Sequence, residues 1–268
     1  MISSNSYKEI TSILRDVSNQ ASKKILEIYN SNFKVNFKDD NSPLTDADTE
    51  SNRIICDRLV KEFPKIPVIS EENKNKKLNT DTYFLVDPLD GTKEFIKKND
   101  EFTINIALIE YNQPVLGIIY APAFGSLFFS KKNNGSYKIY TKNNLNTLKN
   151  SEKISVKYTN NKKIRVIGSR SHSNIAFDNW VKKKFTNFEI IEKGSSLKFC
   201  EIAEGKADIY PRFGPTSEWD IAAGHIILLE AGGKLKSIDN KDLVYNTKED
   251  ILNPHFFAYA DDALIKNK

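Results

Sequence analysis

Residues 83–92 read YFLVDPLDGT, a strongly apolar segment that runs directly into two aspartates and a turn. The apolar part, Phe84 to Val86, predicts a buried strand that Asp87 and Asp90 follow. Because proline fixes one backbone angle and glycine permits a tight turn, the two carboxylates can face each other while the Leu89 carbonyl points inward. The segment offers three oxygen ligands within four residues. Asp and Gly are also common in ordinary turns, so this pattern alone leaves both interpretations open.

The chain before and around this segment reads as helices followed by strands. Apolar residues recur at helical spacing from Tyr7 to Tyr29 and from Asp46 to Phe63, and Pro64 ends the second helix. Strand-like segments follow at 67–70, 83–86, 102–110, 115–120 and 126–130. The turn residues between the later segments predict an antiparallel meander behind an N-terminal helix pair.

The second half of the chain changes rhythm, because strand-like and helical segments alternate there. Strands are predicted at 164–168, 188–192 and 207–211, and helices at 175–185, 196–204 and 218–231. Such alternation is typical of an α/β layer. The Asn- and Lys-rich stretch from Lys131 to Lys163 predicts a weakly structured excursion. We therefore expect an α+β half over residues 1–150 and an α/β half over residues 151–268.

The composition excludes several classes of protein. A chain of 268 residues that is 39% apolar can bury an ordinary core. Its apolar runs are far shorter than the roughly 20 residues that span a bilayer, and its N-terminus lacks a signal-peptide pattern. We expect a cytoplasmic protein without stable membrane insertion, which leaves peripheral association with the inner membrane open.

The cysteine spacing and the charge distribution indicate which metals and macromolecules the chain is expected to bind. Cys56 and Cys200 lie far apart without a CxxC or a nearby histidine pair, so the sequence favours reduced thiols over a zinc site or a disulfide. The net charge of +5 comes from 40 basic and 35 acidic residues spread along the chain. The lysine clusters at 74–77 and 182–184 are typical of solvated faces, so we expect no nucleic-acid partner. A mildly positive field still attracts a small polyanion.

Further carboxylates stand where elements begin or end. Glu71 and Glu72 follow a strand-like segment, and Asp220 falls in the first turn of a predicted helix with Thr216 or Ser217 as its cap. An acid in that position also complements the helix dipole, so Asp220 alone is weak evidence for a site. Oxygen ligands without histidine or cysteine favour Mg²⁺ or Mn²⁺ over zinc.

Four strings occur together: SPLTDAD at 42–48, SEE at 70–72, DPLDGT at 87–92 and WDIAAG at 219–224. In this order and at these separations they resemble the inositol monophosphatase-like superfamily of Mg²⁺-dependent phosphatases, over essentially the whole chain. The longer strings at 87–109 and 210–225 look most like its bacterial CysQ branch of 3′(2′),5′-bisphosphate nucleotidases. That branch removes the 3′-phosphate from adenosine 3′,5′-bisphosphate, a by-product of sulfate assimilation. The resemblance implies a layered α/β/α/β/α sugar-phosphatase fold.

The resemblance also implies a metal site of two or three Mg²⁺ ions, with Mn²⁺ as a substitute. Glu71, Asp87 and the Leu89 carbonyl would bind one ion, while Asp87, Asp90 and Asp220 would bind a second. A third ion would lie near Glu71, which counts as a catalytic residue as well as a ligand. Paired metals suit phosphoryl transfer because they neutralise charge on the transferring group.

The family pattern assigns activation of the attacking water to Thr92 and Asp48. The string LTDAD offers both Asp46 and Asp48, and alignment on SPLT favours Asp48. The backbone N–H groups of Gly91 and Thr92 would contact the phosphate oxygens.

The same pattern places substrate contacts mainly in the second half of the chain. Ser195, Lys198 and Arg212 match positions that contact the nucleotide, and the two cations suit a second phosphate. Asp220 would also lie against the substrate. The sequence leaves three further roles open: Arg170 and His172 as substrate contacts or surface residues, and Glu218 beside the ribose or at the start of its helix.

Three other functions compete with the nucleotidase interpretation. The same metal core serves phosphatases of inositol monophosphate and fructose 1,6-bisphosphate. A non-catalytic metabolite-binding protein is disfavoured because every expected ligand is present, and a nucleic-acid-binding module is disfavoured because its basic clusters lack aromatic strings. For the assembly, the resemblance is compatible with a monomer or a homodimer.

Overall fold

Helices and β-sheets alternate in layers in the computed structural model, which describes residues 4–73, 78–140, 150–158, 163–171 and 175–266. The first layer is a pair of helices, α1 (Ser4–Tyr29) and α2 (Asp46–Glu62), which pack against each other. Apolar side chains at helical spacing on α1, from Ile10 to Ile28, are buried. Both helices lie where the sequence predicts them.

The second layer is a seven-stranded sheet. Its strands, in spatial order, are β3 (Val68–Ser70), β4 (Thr82–Asp90), β5 (Thr103–Glu110), β6 (Gln113–Ala121), β7 (Ser126–Lys131), β8 (Ser136–Tyr140) and β9 (Glu152–Ile154). Neighbouring strands are antiparallel except β3 and β4, which are parallel. The predicted antiparallel meander is therefore correct from β4 onward. It is wrong for β3, which pairs with β4 in parallel.

Two other strand predictions need correction. The stretch predicted to be weakly structured contains β8 and β9, whose residues pair in register, while its residues 141–149 and 159–162 lie outside those described. A separate antiparallel pair, β1 (Val35–Phe37) and β2 (Pro43–Thr45), precedes α2 and was not predicted. The division near residue 150 stays a prediction, and β9 lies just beyond it in the first sheet.

The first sheet is buried on both faces, because a helix layer covers each of them. Phe84 and Val86 on β4 pack with α1 and α2, whereas Tyr83 and Leu85 face the opposite core. That opposite core contains α5 (Leu197–Ala203) and α6 (Glu218–Glu230). A Cβ on Gly117 of β6 would lie 2.5 Å from an Ile226 methyl group, so glycine permits the close approach of α6.

The fourth layer is a five-stranded mixed sheet. Its strands, in spatial order, are β11 (Phe188–Lys193), β10 (Ile164–Ser169), β12 (Ile209–Arg212), β14 (Phe256–Tyr259) and β13 (Lys234–Ser237). The parallel part, β10 to β12, follows the predicted alternation, while the antiparallel pair of β13 and β14 was not predicted.

Helix α4 (Ile175–Lys184) forms the outermost layer on this second sheet. The Trp180 ring stacks on Phe257 of β14 with their centroids 4.8 Å apart. The order of layers is therefore α/β/α/β/α, as the resemblance implies. None of the helices in the described part of the chain has the length and apolar character of a bilayer span.

A buried histidine on α6 makes stability depend on pH. The ring nitrogen Nδ1 of His225 lies 2.9 Å from the Tyr245 hydroxyl, and burial lowers the pKa of His225 to about 4. Since protonation is then easier in the unfolded chain, the free energy of unfolding should fall as pH drops from about 6.5 towards 4, by at most about 3 kcal/mol. Urea titrations of wild type and His225→Asn between pH 7 and pH 4.5 would measure this loss. Parallel curves for the two proteins would contradict it.

Candidate functional site

A cavity of about 290 Å³ opens where the carboxyl end of β4 meets α5, β12 and the N-terminus of α6. Its acidic lining comes from both halves of the chain and comprises Glu71, Asp87, Asp90, Glu94 and Asp220. Its basic lining comprises Lys93, Lys198 and Arg212. None of the lining residues in the described part of the chain is His or Cys. The structure thus brings residues of separate sequence motifs together in one cavity.

The DPLDGT segment forms the floor of this cavity. Its first four residues, including Asp87 and Asp90, belong to the end of β4 rather than following the strand, which corrects the prediction. The pairing with β5 shifts between Asp87 and Asp90, and the Leu89 amide donates to the Asp87 carboxylate at 3.1 Å. Gly91 follows with φ +92°, and a Cβ there would lie 2.9 Å from the Glu101 carbonyl oxygen. Glycine is therefore required at this turn by conformation and by space.

Asp48 and Thr92, which are distant in sequence, are hydrogen-bonded to each other at the cavity edge. The Thr92 hydroxyl lies within donating distance of Asp48 Oδ1, at 2.9 Å, and of the Leu89 carbonyl, at 3.4 Å. The other oxygen of Asp48 accepts from the Thr45 amide and hydroxyl, which caps α2. Asp48 is buried, whereas Asp46 is exposed, and the choice of Asp48 as the acid stays a prediction.

Three carboxyl groups in the cavity have raised pKa values. Burial raises the pKa of Asp87 most, and the charges of Glu71, Asp90 and Asp220 raise it further. Burial also raises the pKa of Asp90 against the opposing charge of Lys198, and burial with the Asp90 charge raises that of Asp220. Carboxylates that disfavour one another's ionisation have too little positive charge around them. A divalent cation would supply it.

The donor set fits Mg²⁺ by its chemistry, although the side chains are not gathered around one point. Among the described residues, no three or more His, Cys, Asp or Glu groups are close enough together to hold a metal ion. Two of these carboxylates are engaged by other groups: Lys38 pairs with Glu71 at 2.8 Å, and the Ser217 amide donates to Asp220 at 2.8 Å. Lys38 also pairs with Glu72, whose pKa burial raises to about 7. The oxygen-only, mutually repelling carboxylates still match the preference of a hard cation.

Basic and hydroxyl groups occupy another part of the cavity lining. Burial lowers the pKa of Lys198 to about 8, against the attraction of Asp90. Six buried side-chain polar atoms in the described part of the chain have no hydrogen-bond partner, and two of them belong to residues that line the cavity: the Ser195 hydroxyl and Arg212 Nε. Buried polar atoms without partners are rare in native proteins, so this wall can accept a polar ligand. Ser195 has φ +46°, a strained value for a residue other than glycine.

The remaining predicted residues fall outside the cavity. Glu218 starts α6 and accepts from the Asn246 amide at 3.0 Å, so it occupies the helix start rather than the cavity wall. Arg170 is bonded to Glu101, at 2.8 Å, and His172 lies outside the described residues. Sequence reasoning missed Lys38 and Glu101. Lys38 belongs to none of the motifs, and Glu101 lies within the string at 87–109 without a role assigned to it by the family pattern.

Comparison with known proteins gives one consistent picture. A sequence model of the inositol monophosphatase family matches residues 6–266. The 3′(2′),5′-bisphosphate nucleotidase CysQ of Buchnera aphidicola is 41% identical over 265 residues, which cover 96% of each chain. The enzyme of the same name from Escherichia coli K12 is 39% identical over 222 residues, which cover 82% of this chain and 86% of that one.

Solved structures agree with the sequence relatives. A crystal structure of CysQ from Bacteroides thetaiotaomicron, described as a bacterial member of the inositol monophosphatase family, aligns with a TM-score of 0.83 at 40% identity. The alignment covers 94% of this chain and 97% of that one. An IMPase/NADP phosphatase complexed with Mg²⁺ and phosphate aligns with a TM-score of 0.77 at 17% identity, covering 95% of this chain and 91% of that one. The second likeness concerns the fold alone.

Proposed function

Because this chain belongs to the inositol monophosphatase family, we propose that it is a Mg²⁺-dependent phosphatase that removes the 3′-phosphate from adenosine 3′,5′-bisphosphate. One observation carries the proposal: a single cavity holds four acidic groups suited to divalent cations and, with them, two buried or half-buried cations suited to a second phosphate. Curated relatives named for this activity, about 40% identical over most of the chain, support the same substrate. The sulfated relative of this nucleotide, 3′-phosphoadenylyl sulfate, is a further candidate substrate.

In the proposed reaction, a water oxygen forms a bond to phosphorus while the bond to the ribose 3′ oxygen breaks, and the proton that the water gives up balances the one that the ribose oxygen takes up. Thr92 and Asp48 orient that water. The Thr92 hydroxyl donates to Asp48 Oδ1, so its oxygen keeps lone pairs with which to accept a hydrogen bond from water. Asp48 fixes the direction of this hydroxyl, because its other oxygen is held by Thr45.

The metal ligands in this proposal are Glu71, Asp87, the Leu89 carbonyl, Asp90 and Asp220. Bound Mg²⁺ would lower the pKa of a coordinated water and neutralise charge on the transferring phosphoryl group. Lys38, which bridges Glu71 and Glu72, contacts Oε1 of Glu71, so Oε2 would be the oxygen offered to a cation in this arrangement. The number of ions and the use of Mn²⁺ stay predictions, as do a cytoplasmic location and the choice between monomer and homodimer.

Substrate recognition in this proposal divides between two walls of the cavity. The turn at Gly91 and Thr92 receives the reacting phosphate, while Ser195, Lys198 and Arg212 receive the nucleoside 5′-phosphate and its ribose. Arg212 donates one N–H to the Pro215 carbonyl at 2.7 Å, which fixes the orientation of the guanidinium group. Its buried Nε has no hydrogen-bond partner among the described residues. A planar fork held in this way suits a phosphate.

Replacing Lys198 should weaken substrate binding more than it slows the chemical step. We expect Lys198→Met to raise KM for adenosine 3′,5′-bisphosphate by about ten-fold or more, because one charge-assisted hydrogen bond to phosphate is lost. KM for para-nitrophenyl phosphate, which has no second phosphate, should change little. Steady-state kinetics measure both, with Lys206→Met as the control, since Lys206 is exposed, pairs with Glu204 and does not line the cavity. A loss of kcat on both substrates would instead indicate that Lys198 acts on Asp90.

Phosphate release from three substrates tests the proposed function. Adenosine 3′,5′-bisphosphate, inositol 1-phosphate and fructose 1,6-bisphosphate are compared side by side, with Mg²⁺ and with EDTA. We expect Mg²⁺-dependent hydrolysis of the nucleotide in preference to the other two. Preference for either sugar phosphate would overturn the substrate assignment, and no release from any of them would favour a metabolite-binding protein.

A further inference from the structure

A buried carboxylate, that of Glu101, binds the segment that carries Ser195 at the residue before it, Gly194. Glu101 lies between α3 (Thr92–Ile96) and β5, and its side chain is only 7% exposed. Its carboxylate accepts the Gly194 amide at 2.7 Å. It also accepts two bonds from Arg170, at 2.8 Å from Nε and 3.0 Å from Nη2. We define these three residues, Glu101, Arg170 and Gly194, as the Glu101 clamp.

The clamp connects the two parts of the chain that form the cavity. Glu101 follows the phosphate-binding turn in sequence, whereas Gly194 and Arg170 lie at the ends of β11 and β10. Arg170 also donates to the Glu192 carbonyl at 3.0 Å, which ties the guanidinium to the same strand end. Charge-assisted, two-point bonds of this kind restrict orientation strongly. Glu101 therefore sets how the segment after β11 lies against the turn at Gly91.

Close packing leaves this segment little freedom. A Cβ on Gly194 would lie 2.6 Å from Glu94 Cγ and 3.0 Å from the Glu101 carbonyl oxygen. A Cβ on Gly91 would lie 3.2 Å from the Ser195 Cβ. Ser195 itself keeps a left-handed backbone, which persists only where the surroundings impose it.

The hydroxyl of Ser195 has no hydrogen-bond partner among the described residues. Ser195 is buried and lines the cavity, yet its Oγ makes no hydrogen bond. Its neighbour Ser196 differs, because it bonds to Asn105 at 2.7 Å and so connects to Asp90. A strained backbone that leaves a buried hydroxyl unpartnered, in a residue that lines a cavity, is the arrangement expected of a ligand contact.

We propose that Glu101 is a positioning residue for substrate specificity, which holds Ser195 in its left-handed conformation so that its hydroxyl meets the alcohol side of the substrate. Arg170 then serves the clamp and is not itself a substrate contact. The proposal rests on the proposed function, since it assigns Ser195 to the nucleoside rather than to a smaller leaving group.

Glu101→Gln tests the clamp, with Glu110→Gln as a matched control. Glu110 is also a buried glutamate, but it accepts from the Tyr7 hydroxyl at 2.7 Å and does not line the cavity. Two readouts are combined: amide hydrogen exchange of peptides that contain Gly194, and steady-state kinetics on adenosine 3′,5′-bisphosphate and para-nitrophenyl phosphate. Exchange needs no substrate, so it tests the clamp even if the nucleotide is not hydrolysed.

For Glu101→Gln we expect faster exchange at Gly194 and a KM for the nucleotide about ten-fold higher, with kcat nearly unchanged. Para-nitrophenyl phosphate kinetics and the control variant should match wild type. Unchanged exchange, or a KM shift of equal size in Glu110→Gln, would overturn the proposal. If Glu101→Gln does not fold, Arg170→Lys is used instead, because this change removes the two-point bond to Glu101 at a side chain that is partly exposed. We expect Arg170→Lys to raise KM for the nucleotide too, but by less. Failure of wild type to hydrolyse the nucleotide would reject the proposed function separately.

Discussion

Asp90→Asn should lower kcat for phosphate release by about a thousand-fold while the protein stays folded. The change removes one negative charge from carboxylates that repel one another, and it keeps the size of the side chain. Because burial raises the pKa of Asp90 in the folded protein, its ionisation at neutral pH costs stability, so the variant should unfold at the same temperature as wild type or higher in EDTA. Mg²⁺ should raise the melting temperature of wild type and raise that of the variant less.

Asp208→Asn is the control that separates chemistry from folding. Asp208 is buried and accepts from Arg165 at 2.6 Å, away from the cavity. Its replacement should cost about 2 kcal/mol of stability and leave kcat near the wild-type value. Full activity of Asp90→Asn, or an equal response of both variants to Mg²⁺, would contradict the metal assignment.

The second large effect concerns the orientation of the attacking water. We expect Asp48→Asn to lower kcat by about a hundred-fold or more with little change in KM, because an amide cannot hold the Thr92 hydroxyl and accept a proton as a carboxylate does. Some stability, about 1 kcal/mol, should also be lost, since Asp48 caps α2 together with Thr45. Steady-state kinetics and thermal melting distinguish the two effects.

Two further comparisons isolate this pair. Asp46→Asn changes an exposed acid two residues away and should leave kcat unaltered. Thr92→Val removes the hydroxyl and should resemble Asp48→Asn, whereas Thr92→Ser should restore most of the activity. Equal losses for Asp46→Asn and Asp48→Asn would show that the assignment of the acid is wrong.

Sequence reasoning predicted the fold best where side-chain periodicity was strong. The helices that begin the chain and the alternating second half followed from apolar spacing. It failed where strands are short or polar: β8 contains Lys138, whose ammonium is buried through an ion pair with Glu204 at 2.8 Å, and β9 contains only three residues. Such strands exist because neighbouring strands satisfy their backbone groups, which no local pattern records.

The candidate site could be predicted only as far as it lies in motifs. Asp87, Asp90 and Asp220 line one cavity as the four strings imply. Lys38 and Glu101 act through contacts that the fold creates, since Lys38 meets Glu71 across 33 positions and Glu101 meets Gly194 across 93. A single sequence contains no signal for either contact.

Identification of the product tests the central claim most directly. Purified protein is incubated with adenosine 3′,5′-bisphosphate and Mg²⁺, and the nucleotide formed is identified by phosphorus NMR and chromatography. We predict adenosine 5′-monophosphate and one equivalent of inorganic phosphate, with neither formed in EDTA. Formation of adenosine 3′-monophosphate, or release of phosphate that persists in EDTA, would contradict the account of a metal-dependent 3′-phosphatase.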